Sequence, residues 1–228
     1  MQVLPAAAVV ILAATPVLAE KKTYEFNGFD QVRAHEGVTV NIKTGDVFDV
    51  RAEAHRGNIK RLKMYVSDDA LVVERKRGFS LISGSRRDRF EVWVTMPEIN
   101  GVKSASGSSV TLEGANIDGL KAQSSSGSSL SISGLTGGDV VLDSSSGSTL
   151  RIAGSCEGLM AETSSGSTIH AKDLACETAD LHASSGATLN AFATASARVD
   201  ASSGSLVSLS GDATVEALET SSGASFSQ

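Results

Sequence analysis

Two cysteines are the residues of this chain whose type and spacing point most directly to chemistry. Cys156 and Cys176 each stand ten residues before the glycine of a Ser-Gly dipeptide, Gly166 and Gly186. The same phase in adjacent repeats predicts positions about 5 Å apart, which is within disulfide range. We expect a disulfide, with two reduced and partly buried thiols as the alternative. Two thiols without a histidine in phase do not make a zinc site.

Paired carboxylates are a second candidate, because they can hold calcium or act as acid and base. Four residues before successive repeat glycines, Asp143 would lie beside Glu162, and Asp200 beside Glu219. Calcium needs about six to eight oxygen ligands, and the neighbouring positions carry mainly serine and threonine hydroxyls, which are poor ligands. Both pairs would be exposed, so neither would gain the raised pKa that glycoside cleavage requires. We therefore expect solvated surface charge, with no metal and no cofactor.

A third candidate is a basic loop. Six basic residues flank the segment 78–85: Arg75, Lys76, Arg77, Arg86, Arg87 and Arg89. They suggest a long hairpin loop that could contact anionic glycans or phosphates by charge, with a solvated loop or contact with an acidic surface as the alternative. The chain carries no nucleic-acid fold signature, and its histidines lie in no nucleophile motif. We predict no catalytic residue and no nucleic-acid partner.

A repeat of about nineteen residues positions these candidates. Its glycines, 18 to 20 residues apart, are Gly107, Gly127, Gly147, Gly166, Gly186, Gly204 and Gly223. Three residues after each glycine and five before it the side chains are apolar, as they are five residues after each of the first six glycines, whereas four residues away on either side they are mostly polar. This alternation indicates strands with one buried face, and its recurrence predicts a solenoid of stacked parallel strands with the glycines at its corners. Regular apolar positions exclude a flexible Gly/Ser linker.

The front part of the chain differs in charge. Residues 20–103 carry a net charge of +3 and residues 104–228 a net charge of −9. Alternating segments at 38–42, 47–53, 62–66, 71–74 and 90–96 predict strands. We therefore expect residues 20–103 to form a β-rich N-terminal cap or the first coils, ahead of β-helix repeats at 104–228. The sequence stops at Gln228 inside a repeat, so we expect that end of the solenoid to be uncovered.

Residues 1–19 are predicted to be a signal peptide. An alanine-rich apolar run at 5–18 is too short to span a bilayer, and small residues suit cleavage after Ala19. A buried N-terminal helix is the alternative. No cysteine follows the run, so we expect export without a lipid anchor or a transmembrane span, to the periplasm or the cell exterior.

The composition argues against several classes of protein. With 41% apolar residues the chain is too apolar for a disordered segment. Seven phenylalanines, two tyrosines and one tryptophan leave little for a stacking surface of the kind that binds sugars or single-stranded nucleic acid.

Several segments resemble a known family in their order and spacing. They are FNGFD at 26–30, VTVNI at 38–42 leading into GD at 45–46, ALVV at 70–73, VWVTMPEI at 92–99, GV at 101–102, and the glycine repeats. Over nearly all of the mature chain they resemble the bacterial head GIN domain, described as an auto-transporter adhesin of unknown molecular activity. The resemblance implies a right-handed parallel β-helix on an exported protein, with an adhesin-like role and no catalytic motif.

Three functional hypotheses follow. The first is a non-enzymatic, exported binding module of the cell envelope, whose partner is an envelope glycan or protein and whose binding gains avidity from repeated columns. The second is a polysaccharide lyase or hydrolase, which would need a lateral groove with clustered Arg, Lys and acidic residues. The third is an assembly module that forms homo-oligomers end to end, in which the last coil stacks on another chain.

Overall fold

The computed structural model describes residues 20–76, 88–116 and 118–228. In these residues the chain forms one sheet of eighteen strands, and the helical element is a short 3-10 turn at Ile59–Arg61. The strands are β1 (Glu20–Tyr24), β2 (Gln31–His35), β3 (Thr39–Thr44), β4 (Asp49–Arg56), β5 (Leu62–Ser67), β6 (Ala70–Arg75), β7 (Arg89–Met96), β8 (Gly101–Ala105), β9 (Ser109–Asn116), β10 (Gly119–Ser125), β11 (Ser129–Thr136), β12 (Asp139–Ser145), β13 (Thr149–Thr163), β14 (Thr168–Ala183), β15 (Thr188–Ala201), β16 (Leu206–Ser210), β17 (Thr214–Thr220) and β18 (Ser225–Ser227). The five strands predicted in the front part are β3 to β7.

Each coil of the solenoid has one strand before its turn and one strand after it. The turn has two residues, except that β6 and β7 are linked by residues 76–88, of which the structure describes 76 and 88. The strands before the turn form the leading face: β6, β2, β8, β10, β12, the second halves of β13, β14 and β15, and β17. Those after it form the trailing face: β7, β3, β9, β11, the first parts of β13, β14 and β15, β16 and β18. Within each face, successive coils pair in parallel, so every backbone group finds its partner in the next coil.

Like residues stack on like, as the repeat predicts. Leu130 lies between Val110 and Leu150 in register, and Ile169 lies between Leu150 and Leu189. All of these side chains are buried in one continuous apolar interior. The expected parallel β-helix is therefore confirmed.

The turns explain why Ser-Gly recurs. In all seven repeats both residues have positive φ, about 51° to 56° for Ser and 65° to 76° for Gly, which is the pair of left-handed residues of a type I′ turn. A Cβ placed on Gly147 would meet no atom within 4 Å. The glycine is therefore required by its backbone angle and not by a close approach of neighbouring atoms at that position.

An eighth turn at Glu36-Gly37 shares this geometry, with φ of 63° and 74°. It joins β2 to β3, and this coil is inserted between β6–β7 and β8–β9. The spatial order of the coils is therefore not the order of the chain. Beyond β6 and β7 the sheet continues with antiparallel strands, β5 on the leading face and β4 followed by β1 on the trailing face. Residues 20–103 thus supply both coils and a terminal antiparallel edge.

Serine hydroxyls line the inside of the turns, although polar side chains in such a repeat would by themselves be expected at the surface. Ser124, Ser128, Ser144 and Ser148 are buried. Ser148 donates its hydroxyl to the carbonyl of Ser124 in the preceding coil at 2.8 Å, and Ser128 donates to the carbonyl of Ser104 at 2.7 Å. These bonds satisfy polar groups that would otherwise cost free energy inside the core.

Removing both hydroxyls of such a pair should cost less than the sum of removing each one alone. Ser144 and Ser148 share a bond of 2.9 Å between their Oγ atoms, and two coils later the same positions are the buried alanines Ala183 and Ala187. We expect Ser148→Ala to lower the free energy of unfolding by about 1–2 kcal/mol, because it leaves the Ser144 hydroxyl without this partner. The double variant with Ser144→Ala should lose less than the sum of the single variants. A denaturant-melt double-mutant cycle measures this, and strict additivity would contradict the coupling.

Candidate functional site

The clearest candidate site is a cleft on the outer trailing face, centred on Trp93. In β7 the buried residues Phe90, Val92, Val94 and Met96 alternate with outward ones, so Trp93 points to solvent and is 37% exposed. Its register neighbours are Asn41 on β3 and Arg51 on β4. Among the large exposed hydrophobic side chains of the described residues, Trp93 is the aromatic one.

The cleft has a volume of about 550 Å³ and a charged rim. Its charged lining residues are Lys21, Lys22, Lys43, Arg51, Asp49 and Glu53. Strands β1, β4, β7 and β3 lie side by side there, and each contributes alternate side chains to the outer surface. The antiparallel strands β1 and β4 therefore build one side of the cleft, and the coil strands β3 and β7 build the other.

Ion pairs hold the rim in place. Lys21 lies 3.3 Å from Glu53, Lys43 lies 2.9 Å from Glu113, and Arg51 donates to Asp49 through Nε at 2.7 Å. The hydrogen bond to Asp49 raises the pKa of the Arg51 guanidinium, so this cation stays charged at every physiological pH. The rim thus presents fixed positive and negative groups around an exposed indole.

A second set of contacts orients the amide beside Trp93. Asn41 donates through Nδ2 to Oε1 of Glu91 at 2.8 Å. His55 lies 2.8 Å from the other oxygen of Glu91 and 3.4 Å from Glu53. Glu91 thus orients the Asn41 amide through one carboxylate oxygen and contacts His55 through the other. Nothing in the local sequence marks this site, although the alternation in 90–96 already places residue 93 on the outer face.

A second feature is a column of outward side chains on the leading face, one from each coil from β2 onward; in the coil of β6 the same register position is Val72. We call it the charge column, and its register runs Arg33, Lys103, Gln123, Asp143, Glu162, His182, Asp200 and Glu219. The structure places the two acidic pairs of the sequence analysis side by side, as their spacing suggested. The basic end was not recognised, because the turn before β3 is Glu-Gly and lacks the serine.

Donors already surround the acids of the charge column. Gln123 donates through Nε2 to Asp143 at 2.9 Å, and Lys121 lies 3.7 Å from the same carboxylate. His182 lies 3.0 Å from Asp180 and 3.8 Å from Asp200. Among the described residues, no group of three or more His, Cys, Asp or Glu side chains could hold a metal ion.

Comparison with known proteins shows which family this architecture belongs to. The family model described as "Putative auto-transporter adhesin, head GIN domain" matches residues 28–213. The chain belongs to the head GIN domain family. A search of curated proteins finds no match.

Solved structures from other bacteria share the fold of this head GIN domain. A "putative adhesin" from Bacteroides fragilis is 16% identical, with a TM-score of 0.77 over 92% of this chain and 96% of that chain. A "putative adhesin" from Parabacteroides distasonis is 12% identical, with a TM-score of 0.67 over 92% and 97%. A "putative lipid binding protein" from the same species is 11% identical, with a TM-score of 0.65 over 93% and 97%. At these identities the likeness is one of fold.

The cysteines of the head GIN domain lie in adjacent coils at register partners. Cys156 and Cys176 form a disulfide with Cα atoms 4.5 Å apart. Both residues are buried, which keeps them from solution thiols and fits a structural bond better than a redox site.

The basic loop lies mostly outside the described residues. Arg77, Arg86 and Arg87 fall there, whereas Arg75 ends β6 and Arg89 begins β7. The backbone N–H of Lys76 donates to the carbonyl of Arg61 at 2.8 Å. In the described part of the head GIN domain, no helix is both long and apolar enough to cross a membrane.

Proposed function

We propose that this head GIN domain is a non-enzymatic, exported binding module of the bacterial cell envelope, which acts in an adhesin-like way by holding a saccharide in the Trp93 cleft. The observation that carries the proposal is the exposed indole at the centre of a cleft of about 550 Å³ with charged and amide side chains around it. Family membership and the fold of the structural relatives support an adhesin-like role. Export follows from the signal peptide predicted at 1–19.

The chemistry of the cleft suits a pyranose ring. Such a ring offers an apolar C–H face to an aromatic plane and hydroxyls around its edge. Trp93 supplies the plane, and Asp49, Arg51 and Asn41 supply acceptors and donors at its border. Ligand sites commonly combine an apolar floor with a few fixed polar groups in this way.

The stacked coils make the site rigid. Trp93 lies on β7, whose inner side chains are buried in the continuous core, and β7 is bonded on one side to β3 and on the other to β4. The indole therefore keeps its position when a ligand binds. A stiff scaffold that holds an exposed aromatic side chain is well suited to adhesion under load.

Glycan-array binding of the purified full chain tests this proposal. We expect binding to at least one class of saccharide, and Trp93→Ala should weaken that binding at least about tenfold because it removes the stacking plane. The matched control is Leu206→Ala, which removes a side chain 44% exposed on β16 of the trailing face, outside the cleft, and should leave the binding unchanged. Absence of any saccharide binding, or equal binding by Trp93→Ala, would refute the proposal.

A polysaccharide lyase is the second candidate, favoured by one observation. Lys21, Lys43 and Arg51 share the cleft with Asp49 and Glu53, which is the mixture of cations and acids that uronate chemistry needs. The adhesin-like proposal predicts that uronate polymers incubated with the protein yield no unsaturated product. Ultraviolet absorbance follows that product directly, and its formation in wild type but not in Arg51→Ala would establish the lyase instead.

A further inference from the structure

The charge column changes sign along the solenoid. Arg33 and Lys103 occupy its first two coils, Gln123 the third, and Asp143 and Glu162 the next two. Neighbouring positions lie about 4.8 Å apart. Like charges therefore stand next to each other at both ends, and opposite charges are separated by the neutral amide in the middle. The five positions from Arg33 to Glu162 are therefore antisymmetric about Gln123, and beyond them the position that mirrors His182 is the apolar Val72.

The charges of this column are complementary to those of a second copy that runs in the opposite direction. A second copy turned end for end about a two-fold axis through Gln123 would bring Lys103 opposite Asp143 and Arg33 opposite Glu162. Each pair then occurs twice, as in every two-fold contact. A copy placed in parallel would set like charges against each other, which disfavours that arrangement.

The side chains beside the column permit close approach. On the turn side stand the small residues Ala105, Ser125, Ser145 and Ser164 and, beside Arg33, the half-buried His35, which the inverted register places opposite Ser164. On the other side the inverted register places Gly101 opposite Val141 and Gln31 opposite Met160. Lys121 would face its own copy, but it already lies 3.7 Å from Asp143, so a carboxylate offsets its charge.

We propose that this protein forms an antiparallel homodimer through the leading face, with the charge columns of two copies in register about Gln123. The Trp93 cleft lies on the trailing face and remains open in this dimer. The dimer would therefore carry two saccharide sites and could gain avidity on a surface. The dimer does not depend on the saccharide proposal.

Charge-swap complementation tests the dimer. The acidic variant carries Arg33→Glu and Lys103→Glu, and the basic variant carries Asp143→Lys and Glu162→Lys. We expect wild type to sediment as a dimer at low salt and to dissociate as salt rises, because exposed ion pairs are screened. Each variant alone should be monomeric, and an equimolar mixture should restore the dimer. Circular dichroism and thermal melts check that both variants fold.

Cross-linking tests the register. Gln123→Cys should give a covalent dimer under mild oxidation, because the two Gln123 residues meet at the axis. The control is Ser131→Cys, at a half-buried outward position of the trailing face, which should stay monomeric. Four results would overturn the proposal: a wild type that is monomeric at all concentrations, an acidic variant that dimerises like wild type, a mixture that stays monomeric, or equal cross-linking of both cysteine variants. Oligomers that grow without limit would instead indicate end-to-end stacking through the last coil.

Discussion

Ile169→Ala is expected to lower the free energy of unfolding by about 2–5 kcal/mol, the range for truncating a fully buried aliphatic side chain. Ile169 has no exposed surface and stacks between Leu150 and Leu189 of the adjacent coils. The cavity would therefore interrupt the interior between two coils. A solenoid is stabilised by contacts between neighbouring repeats. The substitution therefore weakens the packing of this coil against both of its neighbours.

Urea denaturation followed by circular dichroism measures this effect, with His170→Ala as the matched control. His170 follows Ile169 directly but points outward, where its register neighbours are Arg151 and Asn190. We expect the control to change stability by no more than about 0.5 kcal/mol. Similar losses for the two variants would contradict the alternation on which the fold rests.

The repeat could be predicted from the sequence because its evidence is local. Val110, Leu130 and Leu150 stand at one distance from successive glycines, and a strand shows its buried face through such alternation. The turn between the strands is equally local, since Ser-Gly must accept two left-handed residues. The residue pattern of one coil therefore predicts the strands and the turn of the next coil.

The first coil could not be predicted in this way. Its turn is Glu36-Gly37, which lacks the serine, so Arg33 was not aligned with Lys103 although the two are register partners. These residues are seventy positions apart in the sequence. The insertion of β2–β3 between two later segments depends on which edges remain unpaired after the whole chain has folded, and local patterns carry no information about that.

The Trp93 cleft could not be predicted from the sequence for a different reason. Alternation in β7 predicts that Trp93 faces outward, but the low aromatic content argued against a stacking surface. A count over the whole chain says nothing about where one side chain lies. The neighbours Asn41 and Arg51 come from strands that pair with β7 in opposite directions, parallel for β3 and antiparallel for β4. Only the assembled sheet brings these three residues together.

The burial of the serines also depends on the assembled coils and could not be predicted from the local sequence. The distance from each repeat glycine correctly predicts which apolar residues are buried, yet Ser128 and Ser148 point inward as well. They can do so because each finds a carbonyl in the preceding coil. Polarity alone predicts exposure, and the hydrogen bond that reverses this prediction exists only once the coils are stacked.

Removal of the disulfide should have the other large effect on stability. Cys156 and Cys176 enclose a loop with a sequence separation of 20, and closing such a loop restricts the unfolded chain by about 3 kcal/mol. We expect the double variant Cys156→Ala with Cys176→Ala to lose about that much free energy of unfolding. Alanine fits the site because Ala193, the register partner of Cys176 in the next coil, is itself buried there.

The contribution of the disulfide is isolated by comparing the effect of a reductant on wild type with its effect on the double alanine variant. Denaturant melts of wild type with and without a phosphine reductant should differ by about 2–4 kcal/mol in unfolding free energy, whereas the double alanine variant should give the same midpoint under both conditions. Wild type treated with reductant should then approach the variant. If reduction leaves wild type unchanged while mass spectrometry shows two free thiols, the cross-link adds nothing to the stacking, and the coils at 149–201 are held by their core and backbone pairing alone.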